Sequence, residues 1–144
     1  MDDKVIINTD GGARGNPGPA ACSFVIKKEE QILFKNSKFL GIVTNNQAEY
    51  QGVIMALIYL SENVGKYSGT NIVFVLDSEL VARQLAGEYK TKNPELKYLL
   101  ATAKLLESKI KANIDYTVTS REKNIAADYL VNQELDKQQK ISRR

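Results

Sequence analysis

The chain has no histidine, a single cysteine and only three prolines in 144 residues. Without histidine there can be no imidazole-based zinc site, no Ser-His-Asp triad and no imidazole acid–base catalysis. A lone Cys22 excludes an internal disulfide. It falls in an alternating strand pattern and reads as a packed core thiol in a reducing cytoplasm. Long hydrophobic runs are also missing. The longest apolar stretch, Val53 to Leu60, is far short of the ~20 residues a membrane span needs. No charged-then-apolar leader opens the chain, so neither export nor a membrane partner is expected. Charge of one sign is nearly balanced: 20 Lys and Arg against 17 Asp and Glu give +3, too mild to demand a nucleic-acid partner and not of a sign to exclude one. With no internal repeat, low-complexity tract or linker, residues 1–144 are expected to form one domain, a length that buries roughly 68–70% of the unfolded chain's surface.

What is present begins with "KVIINTDGGARGNPGPAA", residues 4–21. Val5-Ile6-Ile7-Asn8-Thr9 is strand material, yet it runs into Asp10, and a carboxylate there is costly unless it is used. The glycine-rich stretch after it is no phosphate cradle. It contains neither Gly-x4-Gly-Lys-Ser/Thr nor Gly-x-Gly-x-x-Gly, and another strand follows instead of a helix. Strands are expected at 4–10, 20–28 and 31–40, the last two joined tightly through Lys28-Glu29-Glu30, which makes an antiparallel meander. Apolar residues at 50, 53, 54, 57 and 60 mark a helix from Asn45 to about Asn63. "NIVFVL" (71–76) reads as a central strand buried on both faces. Helices are expected at 78–88, at 94–110 behind Pro94 and at 124–138, with a fifth strand at 113–118. This is an α/β pattern: a mixed sheet with helices on its faces. Residues 136–144, rich in Lys and Arg, read as a frayed basic tail, with phosphate contact as the alternative.

The acids carry the chemistry. Asp10 and Asp77 each end a strand, and if those strands are parallel neighbours both carboxylates emerge at the sheet edge where open α/β sheets place their sites. Glu49 shares a helical stripe with Val53, Ala56 and Leu60, and Asp128 shares one with Val131, Asn132 and Leu135, so both face inward. Taken singly, each has a plain structural explanation as a cap, a turn former or an acid at a helix N-terminus. Taken together they do not. Two bare carboxylates ~4 Å apart repel by about 4 kcal/mol at an effective dielectric of 20, so a cluster must be protonated or hold cations. Oxygen ligands without His or usable Cys select Mg²⁺ or Mn²⁺ over zinc.

Asp10-Gly11-Gly12, Gly15-Asn16-Pro17-Gly18, Thr44-Asn45-Asn46-Gln47-Ala48-Glu49, Asp77-Ser78 and "NIAADYLVN" (124–132), in that order, resemble the motifs of type 1 ribonuclease H. The resemblance extends from residue 4 to about 138. It implies the ribonuclease H-like fold, a five-stranded mixed sheet flanked by helices. It further implies endonucleolytic cutting of the RNA strand of an RNA–DNA hybrid, with two Mg²⁺ or Mn²⁺ ions and products ending in 5′-phosphate and 3′-hydroxyl. Asp10 would bridge the ions, Asp128 would help hold the one serving the attacking water, and Glu49 with Asp77 the other. Gly11 and Gly12 would let backbone approach the minor groove, Asn16, Asn45 and Asn46 would bind the hybrid, and Thr44 would grip a phosphate of the DNA strand. Asn16 as a turn former and Asn45 as a helix cap are the structural alternatives.

The pattern has two departures. Many relatives carry a histidine before the last aspartate; here "TSREKNIAAD" offers Arg121, a permanent cation and no general base, read either as a contact to the scissile or departing phosphate or as a surface ion pair. The stretch 85–98 has only Lys90, Lys92 and Lys97 where some relatives insert a long basic helix, so hybrid affinity is expected to be modest and salt-sensitive. No obligatory protein partner is indicated and a monomer is expected. The competing readings are a non-catalytic hybrid-binding module, and a nuclease of the same fold acting on double-stranded RNA or as an exonuclease.

Overall fold

The computed structural model describes residues 3–142. Strands β1 (Lys4–Ala13), β2 (Gly18–Lys28) and β3 (Gln31–Val43) form the meander. After it come α1 (Asn45–Ser61), the short α2 (Val64–Tyr67), β4 (Asn71–Leu76), α3 (Glu79–Leu85), α4 (Pro94–Glu107), β5 (Asn113–Val118), a 3-10 turn at Arg121–Lys123 and α5 (Ile125–Ser142). The strand order is β3-β2-β1-β4-β5. Pairing is antiparallel within the meander and parallel for β1–β4 and β4–β5. The five-stranded mixed sheet expected from the sequence is the one observed.

Four details differ from the sequence reading. The central strand is β1, and β4 lies second from the edge. β1 does not stop at Asp10: Gly11, Gly12 and Ala13 continue it, paired with Cys22, Ala21 and Ala20. β4 buries only one face completely. Ile72, Phe74 and Leu76 are fully enclosed while Val73 and Val75 are half-buried, because α5 packs over β1, β2 and β3 and leaves the β4 side of that face thinly covered. Finally, α5 continues through Ser142, so 136–142 is helix and not a frayed end. Arg143 and Arg144 lie outside the described residues.

Strand alternation sorts side chains between two layers. Phe24 and Ile26 of β2 join Val5, Ile7, Val53, Leu57, Leu60 and Phe74 in the main core beneath α1, α3 and α4, whereas Ala21 meets Val131, Leu135 and Phe39 beneath α5. The α5 layer is also fastened by a polar tie: buried Ser23 Oγ donates to the Ala127 carbonyl at 2.6 Å. Helix α1 begins with a capping box in which Thr44 Oγ1 accepts from Gln47 N–H and the Gln47 side chain accepts from Thr44 N–H. Thr44 is therefore the cap, not Asn45.

Two glycines set how closely α1 lies on β1. A Cβ on Gly11 would sit 2.1 Å from the Ala48 carbonyl oxygen, and one on Gly52 would sit 2.8 Å from the Asp10 carbonyl oxygen. Backbone lies on both sides of each contact, so no side chain can yield. Overpacking of this kind typically costs about 1–3 kcal/mol. In urea unfolding, Gly52→Ala is expected to lose stability within that range and Gly11→Ala to lose more; unchanged midpoints would show that α1 rides further from β1 than described.

Candidate active site

The parallel register that pairs Asn8 with Val75 brings Asp10 and Asp77 level two residues later, on the same side of the pleat. Glu49 comes down onto them from the second turn of α1. Its Oε1 accepts the Gly11 N–H at 2.8 Å in a buried bond, and the missing Cβ of Gly11 gives the helix room to make it. Ligand oxygens of Asp10, Glu49 and Asp77 all lie within 4.8 Å of one another. Asp128, in the first turn of α5, lines the same cleft of about 480 Å³. The tight cluster among the described residues is thus three carboxylates, with Asp128 at its margin, where the sequence suggested four meeting as equals.

Helix α5 is anchored to this place by Asn124, buried to 1% exposure. Its Nδ2 donates to the Thr9 carbonyl at 2.8 Å and its Oδ1 accepts from Asn8 Nδ2 at 3.0 Å. Its own carbonyl accepts the Asp128 N–H at 3.1 Å. The side chain that ties the helix start to β1 thus sits four residues before Asp128. On the far wall, Ser78 Oγ accepts the Val81 N–H and starts α3 immediately after Asp77.

Burial dominates the electrostatics. It raises the Asp10 carboxyl from 3.8 to about 7, with the Asp77 and Asp128 charges adding to the rise. Glu49 is pushed well above its ordinary value by burial and then by Asp10. Asp77 is also raised by burial, against which the Arg121 guanidinium works; Arg121 Nε stands 3.7 Å from Asp77 Oδ2. Glu49 Oε2 and Asp77 Oδ2 are both buried without a hydrogen-bond partner. The Glu49 oxygen carries the full cost of desolvation, and the Asp77 oxygen has that cost offset only by the Arg121 charge. A hard divalent cation is the group that would satisfy both, and the all-oxygen donor set fits one.

The residues expected to meet a nucleic acid divide into two groups. Gly11, Gly12, Asn45, Asn46 and Arg121 line the cleft with the carboxylates. Asn16 and Thr44 do not line it: Asn16 Oδ1 accepts the Asn45 N–H at 2.9 Å, and Thr44 Oγ1 caps α1. Asn45 Oδ1 in turn accepts the Ala13 N–H at 2.8 Å. The Asn16 and Asn45 oxygens therefore bind the β1–β2 turn to the start of α1, which leaves the amide NH₂ of each for a ligand. Lys90, Lys92 and Lys97 are exposed.

Sequence reasoning missed Arg14, which lines the cleft, and gave Asn124 and Asn132 no role. A visible signal was the four-residue spacing of Asp128, Asn132 and Asp136, which puts three polar side chains on one stripe of α5.

Comparison with known proteins gives a consistent pattern. Residues 8–134 match the family described as "Reverse transcriptase-like". The bifunctional protein Rv2228c of Mycobacterium tuberculosis is 37% identical over 135 residues, covering 92% of this chain and 36% of that protein. A ribonuclease HI of Halobacterium salinarum is 36% identical over 130 residues, covering 88% of this chain and 62% of that protein. The chain thus spans about a third of the first relative and less than two thirds of the second. The solved structure of LC11-RNase H1 in complex with an RNA/DNA hybrid superposes with a TM-score of 0.88 at 42% identity, covering 92% of this chain and 97% of that one.

The raised carboxyls predict a stability profile. A folded-state pKa above the unfolded one means that the native protein holds the proton more tightly. Stability is then full below the unfolded value of 3.8 and is lost as pH rises toward the folded value of about 7. Because the chain has no histidine, few other groups titrate in that window. In chelator, Tm is expected to fall between pH 5 and pH 8, with the loss reversed by millimolar Mg²⁺ and reduced in Asp10→Asn. A flat metal-free profile would contradict the clustered geometry.

Proposed function

This chain belongs to the type 1 ribonuclease H family, and from that premise we propose that it hydrolyses the RNA strand of RNA–DNA hybrids endonucleolytically, leaving 5′-phosphate and 3′-hydroxyl ends. The observation that carries the reading is the trio of carboxylates on the cleft floor, Asp10 and Glu49 buried and Asp77 half-buried, two of them with orphaned oxygens. A protein that only bound nucleic acid would gain nothing by gathering mutually repelling acids where phosphates must come.

Asp10, Glu49, Asp77 and Asp128 would hold two divalent cations, Mg²⁺ or Mn²⁺. Such ions supply charge neutralisation for the phosphodiester oxygens and make water a competent nucleophile at neutral pH. The protein's own groups do the rest. The Gly11 N–H fixes one Glu49 oxygen and so leaves the other free to face a ligand. The backbone of Gly11 and Gly12, with no side chain in the way, lets a sugar edge approach. The amide NH₂ groups of Asn16, Asn45 and Asn46 would donate to that edge, where the 2′-hydroxyl that separates RNA from DNA is both donor and acceptor. Thr44 would add a phosphate contact from the start of α1.

Arg121 is 82% exposed at its side chain yet within ion-pair reach of Asp77. From there the guanidinium can swing to an anionic oxygen of the cut phosphate, a role that needs charge and reach but no proton transfer. We place the reaction in the cytoplasm, in keeping with a single, buried, unpaired Cys22; among the described residues no helix is long and apolar enough to cross a membrane.

The test is an internally labelled hybrid incubated with Mg²⁺ or Mn²⁺ beside RNA duplex, DNA duplex and single strands. Internal cuts in the RNA of the hybrid are expected, lost in chelator. In Asp10→Asn cutting should fall at least about a hundredfold while hybrid binding survives. Cutting only from ends, or of RNA duplex in preference to hybrid, would assign a different nuclease activity, and binding without cutting would leave a hybrid-binding module. Arg121→Ala is expected to lower turnover by about tenfold; unchanged turnover and unchanged metal dependence would reduce Arg121 to a surface ion pair.

A further inference from the structure

Arg14 follows β1 in the turn that also carries Asn16, and its own N–H donates to the Pro19 carbonyl at 2.9 Å. Its guanidinium reaches across the cleft mouth to one stripe of α5. Nη2 donates to Asp136 Oδ1 at 2.7 Å and to Asn132 Oδ1 at 3.4 Å, and Nη1 to Gln139 Oε1 at 3.1 Å. As an isolated surface pair, Arg14–Asp136 would be worth little. What sets it apart is the bond to Asn132. Asn132 uses its other end on Asp128: Nδ2 donates to the Asp128 carbonyl at 3.1 Å and to its carboxylate Oδ2 at 3.3 Å.

We infer that Arg14 is a positioning residue for Asp128, acting through Asn132. An asparagine amide is nearly symmetric in shape but not in hydrogen bonding. Turned one way, Asn132 offers Asp128 a donor; turned the other, it offers an oxygen that repels the carboxylate. Arg14 has only donors, so it selects the first orientation by demanding the amide oxygen for itself. The planar fork suits this task because it engages Asn132 and Asp136 from one nitrogen and Gln139 from the other. The same turn holds Asn16, whose side chain accepts the Asn45 N–H. The turn thus contacts both the start of α1 and, through Arg14, the acid at the start of α5. Asp128 is the carboxylate at the cleft's margin, and the Asn132 amide is the side-chain donor that holds it.

The inference rests on the proposed nuclease reading for its consequence, not for its geometry, and two kinds of measurement keep them apart. In steady-state cleavage of the hybrid, Arg14→Ala and Asn132→Ala should each lower kcat by about three- to tenfold with little change in KM. The double variant should be no worse than either single one. Arg14→Lys should fail to rescue, because an ammonium keeps the charge and loses the fork. In the Asp10→Asn background, Arg14→Ala should leave hybrid affinity unchanged. A direct phosphate contact would give the opposite set: additive losses, a raised KM, weakened binding and rescue by lysine. Independently of any activity, the Asn132 side-chain amide resonances, assigned by their loss in Asn132→Ala, should move in both Arg14 variants. Unmoved resonances would overturn the relay even if the enzyme cuts, and an inactive parent with moved resonances would sink the nuclease reading alone.

Discussion

Mutual repulsion among Asp10, Glu49 and Asp77 is the constraint around which the rest of this molecule is arranged. Ligand oxygens from all three are crowded within 4.8 Å, two of the three residues are buried to about one-twentieth exposure, and no histidine or thiol softens the charge. Burial first, and then the neighbouring charges, raise the Asp10 and Glu49 carboxyls above their ordinary values, a cost that a bound cation would offset. Such a cluster persists only if rigid elements over-determine it, and two do, while a third holds Asp128 beside it. The β1–β4 register brings Asp10 level with Asp77. The missing side chains of Gly11 and Gly52 let α1 press Glu49 onto them. Asn124 pins the start of α5 to β1.

Seen this way, the glycines after Asp10 serve packing as much as access. Gly11 donates its N–H to Glu49, makes room for Ala48 and continues the central strand, three tasks that no larger residue performs together. The polar residues of the β1–β2 turn likewise act twice. Asn16 and Asn45 spend their oxygens on the protein and keep their amino groups for a ligand. Arg14 spends its donors on α5. The cleft is therefore bounded on both sides by hydrogen bonds that originate in one short turn.

Much of this was legible in the sequence, and the reasons are local. The period of apolar residues in α1, the β-branched run before Asp10 and the six-residue "NIVFVL" strand each declare their element, and the order of elements declares a mixed sheet. The acids declared themselves because a carboxylate on an apolar stripe conflicts with its surroundings. What stayed hidden depends on tertiary neighbours. Nothing in "DGGARG" says that Gly11 and Gly12 pair with β2 instead of looping out. The one-sided burial of β4 follows from where α5 lies, which no residue of β4 encodes. Asn124 and Asn132 look like ordinary polar residues until the partners of each, more than a hundred residues away, are in place. The charge of the last turns does signal solvent, and Lys137 and Lys140 are exposed, but charge alone does not show that the helix continues beneath them to Ser142.

Calorimetric titration of Mn²⁺ into the metal-free protein at neutral pH, repeated in buffers of different ionisation enthalpy, probes the carboxylate cluster most directly, because a cation entering it competes with protons for carboxyls whose pKa is raised. The expected result is saturable binding accompanied by proton release, which shrinks as the pH is raised past the Asp10 value of about 7 and is lost with most of the affinity in Asp10→Asn. Saturable binding with no proton release at neutral pH, or binding indifferent to Asp10→Asn, would mean that the three carboxylates do not form the cation site on which the proposed chemistry depends.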